Sequence, residues 1–266
     1  TISNPAPVSE TEGQSWEIIS PDLTRNAPEK LKSSGGHITQ DNTGVEYYCT
    51  IFAVDESPLQ EGLMWVGSDD GLLHLTRDGG INWEDVTPSI MPKWLMINSI
   101  DASPFDPAVS YVAGTLYKTG DFKPYLYKTT DYGKTWTQIT NGIPSEHFTR
   151  VLRADPAKKG LLYAGTETGM YISHDDGASW NPFQLNLPIV PITDLTLKEN
   201  SLIVATQGRS IWILDDLTVL HQIDQNTASQ PMTLFQPKDS YRTQGRGGKP
   251  SLTQGTNLPN GVIVHF

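Results

Sequence analysis

TTDYGKTW, residues 129–136, places a hydroxyl, an acid, a glycine and a tryptophan at Thr129, Asp131, Gly133 and Trp136. The same offsets return at Thr76, Asp78, Gly80 and Trp83, and again at Ser173, Asp175, Gly177 and Trp180. Each copy lies between two runs rich in β-branched and aromatic residues, where the chain must reverse. A short Asp side chain accepts backbone N–H bonds in such a turn. Glycine supplies the positive φ that other residues resist. The tryptophan then opens the next strand, where its ring covers the hairpin and buries on the order of 150–250 Å². Recurrence at equivalent places marks Asp78, Asp131 and Asp175 as turn-forming residues rather than catalytic acids.

The hairpins recur within larger units at residues 50–88, 97–141, 149–187 and 193–223, preceded by a remnant at 12–23 that carries Trp16. Each full unit has four short apolar runs separated by Gly, Pro, Asp or Asn, the pattern of four antiparallel strands. The second runs, such as LMWVG, LLYAG and LIVAT, are nearly continuous apolar, as in strands buried on both faces. Four-stranded units of roughly 30–50 residues are blade-sized, so the spacing predicts an all-β chain of β-propeller blades. Four blades and a remnant are few for a closed ring, which points to part of a larger propeller of about seven blades. Residues 224–259 read as a polar linker, and 260–266 as the start of a further β-domain or a closing strand. Two units depart from the pattern. The remnant has Thr11 where the acid should stand, and the fourth unit has LDD (residues 214–216) in place of the motif.

The 266-residue chain has a formal net charge of -11 and no basic run. Its field therefore repels a phosphate backbone, and nucleic acid is not an expected partner. Cys49 is alone, which excludes an intrachain disulfide. No apolar run reaches the roughly 18 residues needed to span a bilayer. The N-terminus lacks the basic-then-apolar pattern of a secretory signal. The six histidines show no zinc spacing, and neither a regular calcium loop nor a phosphate-cradling glycine loop occurs. No cofactor or metal is expected.

The repeated S/T-x-D-x-G-x-x-W pattern is identified as the Asp-box, or bacterial neuraminidase repeat. The chain resembles the Asp-box propellers, which include sialidases, two-propeller xyloglucanases and the luminal domain of sortilin. YLYKTTDYGKTWTQITNGIP (125–144), KGLLYAGTETGMYISHDDGASW (159–180) and ATQGRSIWILDD (205–216) look most like the sortilin-like or glycosyl-hydrolase-like repeat proteins exported by bacteria. That resemblance implies an extracytoplasmic location, a longer parent chain with other domains, and a protein or glycan ligand. A sialidase-like site would need an arginine cluster gripping a carboxylate, a Tyr paired with a Glu, and an acidic proton donor. Arginines stand here only at 25, 77, 150, 153, 209, 242 and 246, and the arginine-containing entry motif is missing.

An inverting glycosidase needs two carboxylates about 6.5–9.5 Å apart. Asp69, Asp70, Asp194 and Asp215 are the candidates, although Asp-Asp-Gly after a strand is also a hairpin turn. Three recognition candidates stand beside them. The insertion at 117–128 breaks the repeat length and carries Tyr117, Lys118 and Tyr125 as candidates, although Tyr125 and Tyr127 also fit strand three, flanking Leu126 and packing on the neighbouring blade. Trp94 follows a proline break outside every motif. Arg209, between Gly208 and Trp212, is expected to open a strand and point into a central channel. The resulting expectation is a non-catalytic recognition or scaffold module. The alternative is a glycoside hydrolase with catalytic acids partly outside this chain.

Overall fold

The computed structural model describes residues 5–9, 11–32, 34–35, 40–41, 47–224, 227, 229–240 and 261–266. The strands follow the apolar runs. A two-stranded ribbon of β1 (Pro7–Val8) and β2 (Glu17–Ile18) comes first, then a second ribbon of β3 (Ser34–Gly35) and β4 (Gln40–Asp41). The first four-stranded module holds β5 (Ile51–Glu56), β6 (Met64–Ser68), β7 (Leu73–Thr76) and β8 (Glu84–Asp85). The second holds β9 (Met96–Ala102), β10 (Ser110–Leu116), β11 (Asp121–Thr129) and β12 (Thr137–Gln138). The third holds β13 (Thr149–Ala154), β14 (Leu162–Thr166), β15 (Gly169–Ser173) and β16 (Asn181–Pro182). All three sheets are antiparallel meanders in sequence order. The fourth is three-stranded, with β17 (Ile192–Lys198), β18 (Ser201–Thr206) and β19 (Ile211–Leu214). Helix α1 (Thr218–Gln222) follows, where an outer strand was expected. These are β-propeller blades.

The second strands of the first three modules form the core because both of their faces are covered; β18, whose LIVAT run was expected to match them, is buried only at Leu202 and Val204. Trp65, Val112, Ala113, Leu162, Tyr163 and Ala164 are all fully or almost fully buried. The compact unit at 1–197 and 203–212 contains the first three modules. A second unit, at 198–202 and 213–266, contains α1; within it Asn200 Nδ2 donates to Asp216 Oδ1 at 2.9 Å and Thr218 Oγ1 at 3.0 Å. Most of residues 224–259 lie outside the described residues, and 261–266 carry no regular strand.

Each motif hairpin repeats one hydrogen-bond set. Gly80, Gly133 and Gly177 N–H each donate to the hydroxyl four residues back, at Thr76, Thr129 and Ser173, at 2.9 Å. The aspartate closes the other half: Asn82, Thr135 and Ser179 N–H donate to Asp78, Asp131 and Asp175 at 2.8–2.9 Å. Side-chain donation from Thr135, with its N–H, holds the Asp131 carboxyl below the ordinary value. The remnant makes the same turn without an acid. Gly13 N–H donates to Ser9 Oγ and Ser15 N–H to Thr11 Oγ1, both at 2.8 Å, so Thr11 accepts the N–H that the aspartate accepts in the other hairpins.

The tryptophans look backward along the chain. Trp83 Nε1 donates to Ile19 O at 3.0 Å, Trp136 Nε1 to Val86 O at 2.9 Å and Trp180 Nε1 to Ile139 O at 2.7 Å. Each acceptor is the third residue after the preceding motif tryptophan. The motif glycines sit against those same residues: an added Cβ at Gly80, Gly133 or Gly177 would come within 2.7 Å of Ile19, Val86 or Ile139. The motif therefore folds its own turn and fixes the neighbouring module to it.

Candidate functional site

The first strands of the modules carry a second set of ties. Asp55, Asp101 and Arg153 are equivalent positions, paired across to Trp65, Tyr111 and Tyr163. Asp55 Oδ2 accepts the Ala102 N–H at 2.6 Å and Asp101 Oδ2 accepts the Ala154 N–H at 2.8 Å, each from the next module. Arg153 ends the series, donating to Leu195 O and Asp194 Oδ1 at 3.0 Å and to Ser99 Oγ at 2.5 Å. A groove of about 330 Å³ borders Asp55, Glu56, Asp101 and Arg153. Burial pushes the Asp101 carboxyl from its ordinary 3.8 up to about 7, against the pull of the Ala154 N–H and Arg153, with Asp55 adding to the rise.

That shift sets a pH dependence. The ionised form is the costly one in the folded chain, so the Asp101 contribution is fully present below about pH 4 and is lost as pH rises towards 7. Asp101→Asn, which stays neutral and keeps an acceptor for Ala154, is expected to match the parent near pH 4. At pH 8 it should exceed the parent by on the order of 2 kcal/mol, part of the gain being offset by the lost attraction to Arg153. Thermal melts at the two pH values check this, and equal Tm changes at both would overturn it.

A second concavity gathers candidates from distant parts of the sequence. A cleft of about 620 Å³ is lined by Trp94, Tyr48, Met96 and Leu116, by Lys30, Lys93 and Lys118, by Asp69 and Asp121, and by Thr115 and Thr119. Trp94 is half-buried, with its backbone at φ 67°. Cys49, next to Tyr48, is also left-handed at φ 60°. Bulky residues in that region are uncommon and need the surrounding structure to hold them. Tyr48 lies 6.1 Å from Trp94 between ring centroids, and Lys30 and Arg25 lie 4.7 and 5.3 Å from the Trp94 ring. Arg25 is itself pinned by Nε to Asp70 O at 2.8 Å and by Nη2 to Gly71 O at 3.1 Å. Burial, with Asp69 and Asp70 nearby, pushes the Tyr48 phenol up to about 12, so it stays a neutral donor.

Of the sequence candidates, Trp94, Lys118 and Asp69 come together in this cleft, and the others do not. Asp69 accepts Thr50 N–H at 2.7 Å and Thr50 Oγ1 at 3.1 Å, and burial raises its carboxyl. Asp70 is fully buried and accepts Ser68 Oγ at 2.5 Å and Arg25 N–H at 2.7 Å, which makes it a turn-locking residue rather than a catalytic one. Asp194 is engaged by Arg153, and Asp215 is exposed beside the fourth sheet. Tyr125 corrects another expectation. It is a buried strand residue whose hydroxyl donates to Asp121 at 2.7 Å and whose N–H donates to Thr149, so it packs instead of binding. Tyr117 stacks on Phe148 at 5.0 Å, with Arg150 over both rings. Arg209 is exposed in the turn between β18 and β19, where its carbonyl accepts Trp212 Nε1 at 2.9 Å; it does not open the strand. Asp55 and Asp101 escaped the sequence reading. Their signal was an acid inside an apolar strand, just before Ser-Pro in VDESP and IDASP.

Among the described residues no three His, Cys, Asp or Glu cluster to hold a metal, and no helix is long and apolar enough to cross a membrane. No family model matches the sequence. The xyloglucanase Xgh74A of Acetivibrio thermocellus is 25% identical across 45% of this chain, which spans only 17% of that enzyme. The GH74 xyloglucanase of Xanthomonas campestris superposes with a TM-score of 0.54 at 13% identity, covering 79% of this chain and 33% of that one. An ancestral GH74 enzyme gives 0.53 at 18%, covering 77% and 25%. The chain is thus built of β-propeller blades similar in fold to those of GH74 enzymes, and it is weakly similar in sequence to one glycoside hydrolase.

Proposed function

We propose that this chain is a non-catalytic recognition module of an exported bacterial protein of the Asp-box, sortilin-like group, and that it binds a glycan in the Trp94 cleft. The observation that carries the reading is Trp94 itself, a half-buried ring held in a left-handed backbone at the wall of a concavity. A pyranose has apolar C–H faces and a rim of hydroxyls. Aromatic surface beside clustered hydroxyl, ammonium and carboxylate groups matches both features. The carboxylates of the cleft are already used as acceptors by Thr50, Tyr125 and the Lys123 N–H, which supports binding over acid–base chemistry. The module would sit in a longer chain, joined through the 224–259 linker to a further β-domain.

Titration with xyloglucan and xylan oligosaccharides, followed by tryptophan fluorescence, tests this reading. Trp94→Ala is expected to weaken binding at least about tenfold, the loss typical of an aromatic anchor. Unchanged affinity in Trp94→Ala would sink the assignment of the cleft. The second reading, a glycoside hydrolase, draws on the weak similarity to a xyloglucanase and on the proton-retaining Asp101 beside Asp55. It requires release of reducing ends from a polysaccharide, abolished in Asp101→Asn.

A further inference from the structure

We infer that the Trp94 cleft selects acidic sugars, oligosaccharides carrying uronic-acid carboxylates, over neutral ones; this rests on the glycan reading above. The chain as a whole carries a net charge of -11, yet Lys30, Lys93 and Lys118 converge on one cleft. Among the described residues none of these three forms an ion pair, whereas Arg77, Lys128, Arg150 and Arg153 all do. Three ammonium groups in one concavity repel each other, and a bound anion relieves that repulsion.

The two carboxylates of the cleft form no ion pair with these lysines among the described residues, although Lys118 is near enough to attract Asp69. Asp69 is turned to the Thr50 N–H and hydroxyl, and Asp121 to the Tyr125 hydroxyl and the Lys123 N–H at 3.0 Å. The Thr115 hydroxyl, buried at the cleft wall, has no hydrogen-bond partner among the described residues. It is an unused polar atom in the same cleft as three lysines that form no ion pair among the described residues, of which Lys30 stands 4.7 Å over the Trp94 ring. Trp94, Tyr48, Met96 and Leu116 supply the rest of the lining, so the fitting ligand has an apolar face as well as a negative group. A uronic-acid ring has both on one scaffold. A bare phosphate or sulfate lacks the apolar face and would meet Asp69 and Asp121 with a denser negative charge.

Isothermal titration with tetragalacturonate and with neutral galactotetraose tests the selectivity, at about 20 mM and about 300 mM salt. Tetragalacturonate is expected to bind at least about tenfold more tightly at low salt and to lose most of that advantage at high salt, as charge-assisted contacts do. Lys93→Gln with Lys118→Gln, both exposed side chains, should weaken the acidic ligand about tenfold and the neutral one less than about twofold. Lys159→Gln, exposed in the third module, should change neither. Equal or tighter binding of galactotetraose overturns the selectivity and leaves the glycan reading standing. Binding of neither sugar, with or without binding of a poly-glutamate peptide, overturns both.

Discussion

Replacing Trp180 by alanine is expected to lower the stability of the chain by about 3–5 kcal/mol, the range for losing a buried aromatic side chain. Trp180 is 3% exposed and packs in a core with Leu126, Ile139, Ile143 and Tyr171. Its indole N–H reaches the Ile139 carbonyl at 2.7 Å, and its backbone N–H reaches the Asn141 carbonyl at 2.8 Å. Alanine leaves a cavity and orphans the Ile139 carbonyl at a junction between modules. Trp180→Phe keeps most of the apolar contact and loses the indole donor, so its cost should be nearer about 1 kcal/mol. Urea denaturation followed by circular dichroism separates the two. A Trp180→Ala midpoint within error of the parent would show that the motif tryptophans do not bind module to module.

Gly142→Ala should be of similar size, about 2–5 kcal/mol, although it adds one methyl to a loop. Gly142 has φ 97°, where an L side chain is strained. A Cβ there would lie 2.2 Å from the Trp180 carbonyl oxygen, so the backbone of one module must move away from the next. The neighbouring Asn141 shows why they are close: its carbonyl accepts the Trp180 N–H, and its Nδ2 donates to the Ala178 carbonyl at 3.1 Å. Gly120→Ala is the control, since Gly120 also has positive φ but meets nothing within 4 Å. It should show the strain cost of about 1–2 kcal/mol alone. Equal midpoints for the two variants would remove the role of close approach.

How much of this could be read from residues depended on the range of the interaction. The hairpin bonds run between residues two to four apart, so their spacing appears directly in the sequence, and the all-β class followed from the apolar runs around them. Thr11 departs from the pattern in sequence but not in the turn, because a hydroxyl can accept the same N–H as a carboxylate. Tyr125 reads from the sequence either as a loop ligand or as a packed strand residue, because the insertion before it hides where strand β11 begins. Asp55 and Asp101 have roles that exist only when the next module presents Ala102 or Ala154. The cleft was the least legible feature: it joins residues 30, 48, 69, 93–96 and 115–121, and only the fold brings them together.

The direction of the indole bonds bears on how such a chain is made. Trp83 reaches Ile19, Trp136 reaches Val86 and Trp180 reaches Ile139, every bond pointing towards the N-terminus. On a ribosome, each module waits for the next tryptophan, roughly fifty residues later, before its outer strand is latched. At about 5–20 residues per second that interval is several seconds. Assembly then advances as a ratchet, each newly emerged hairpin locking the one already made.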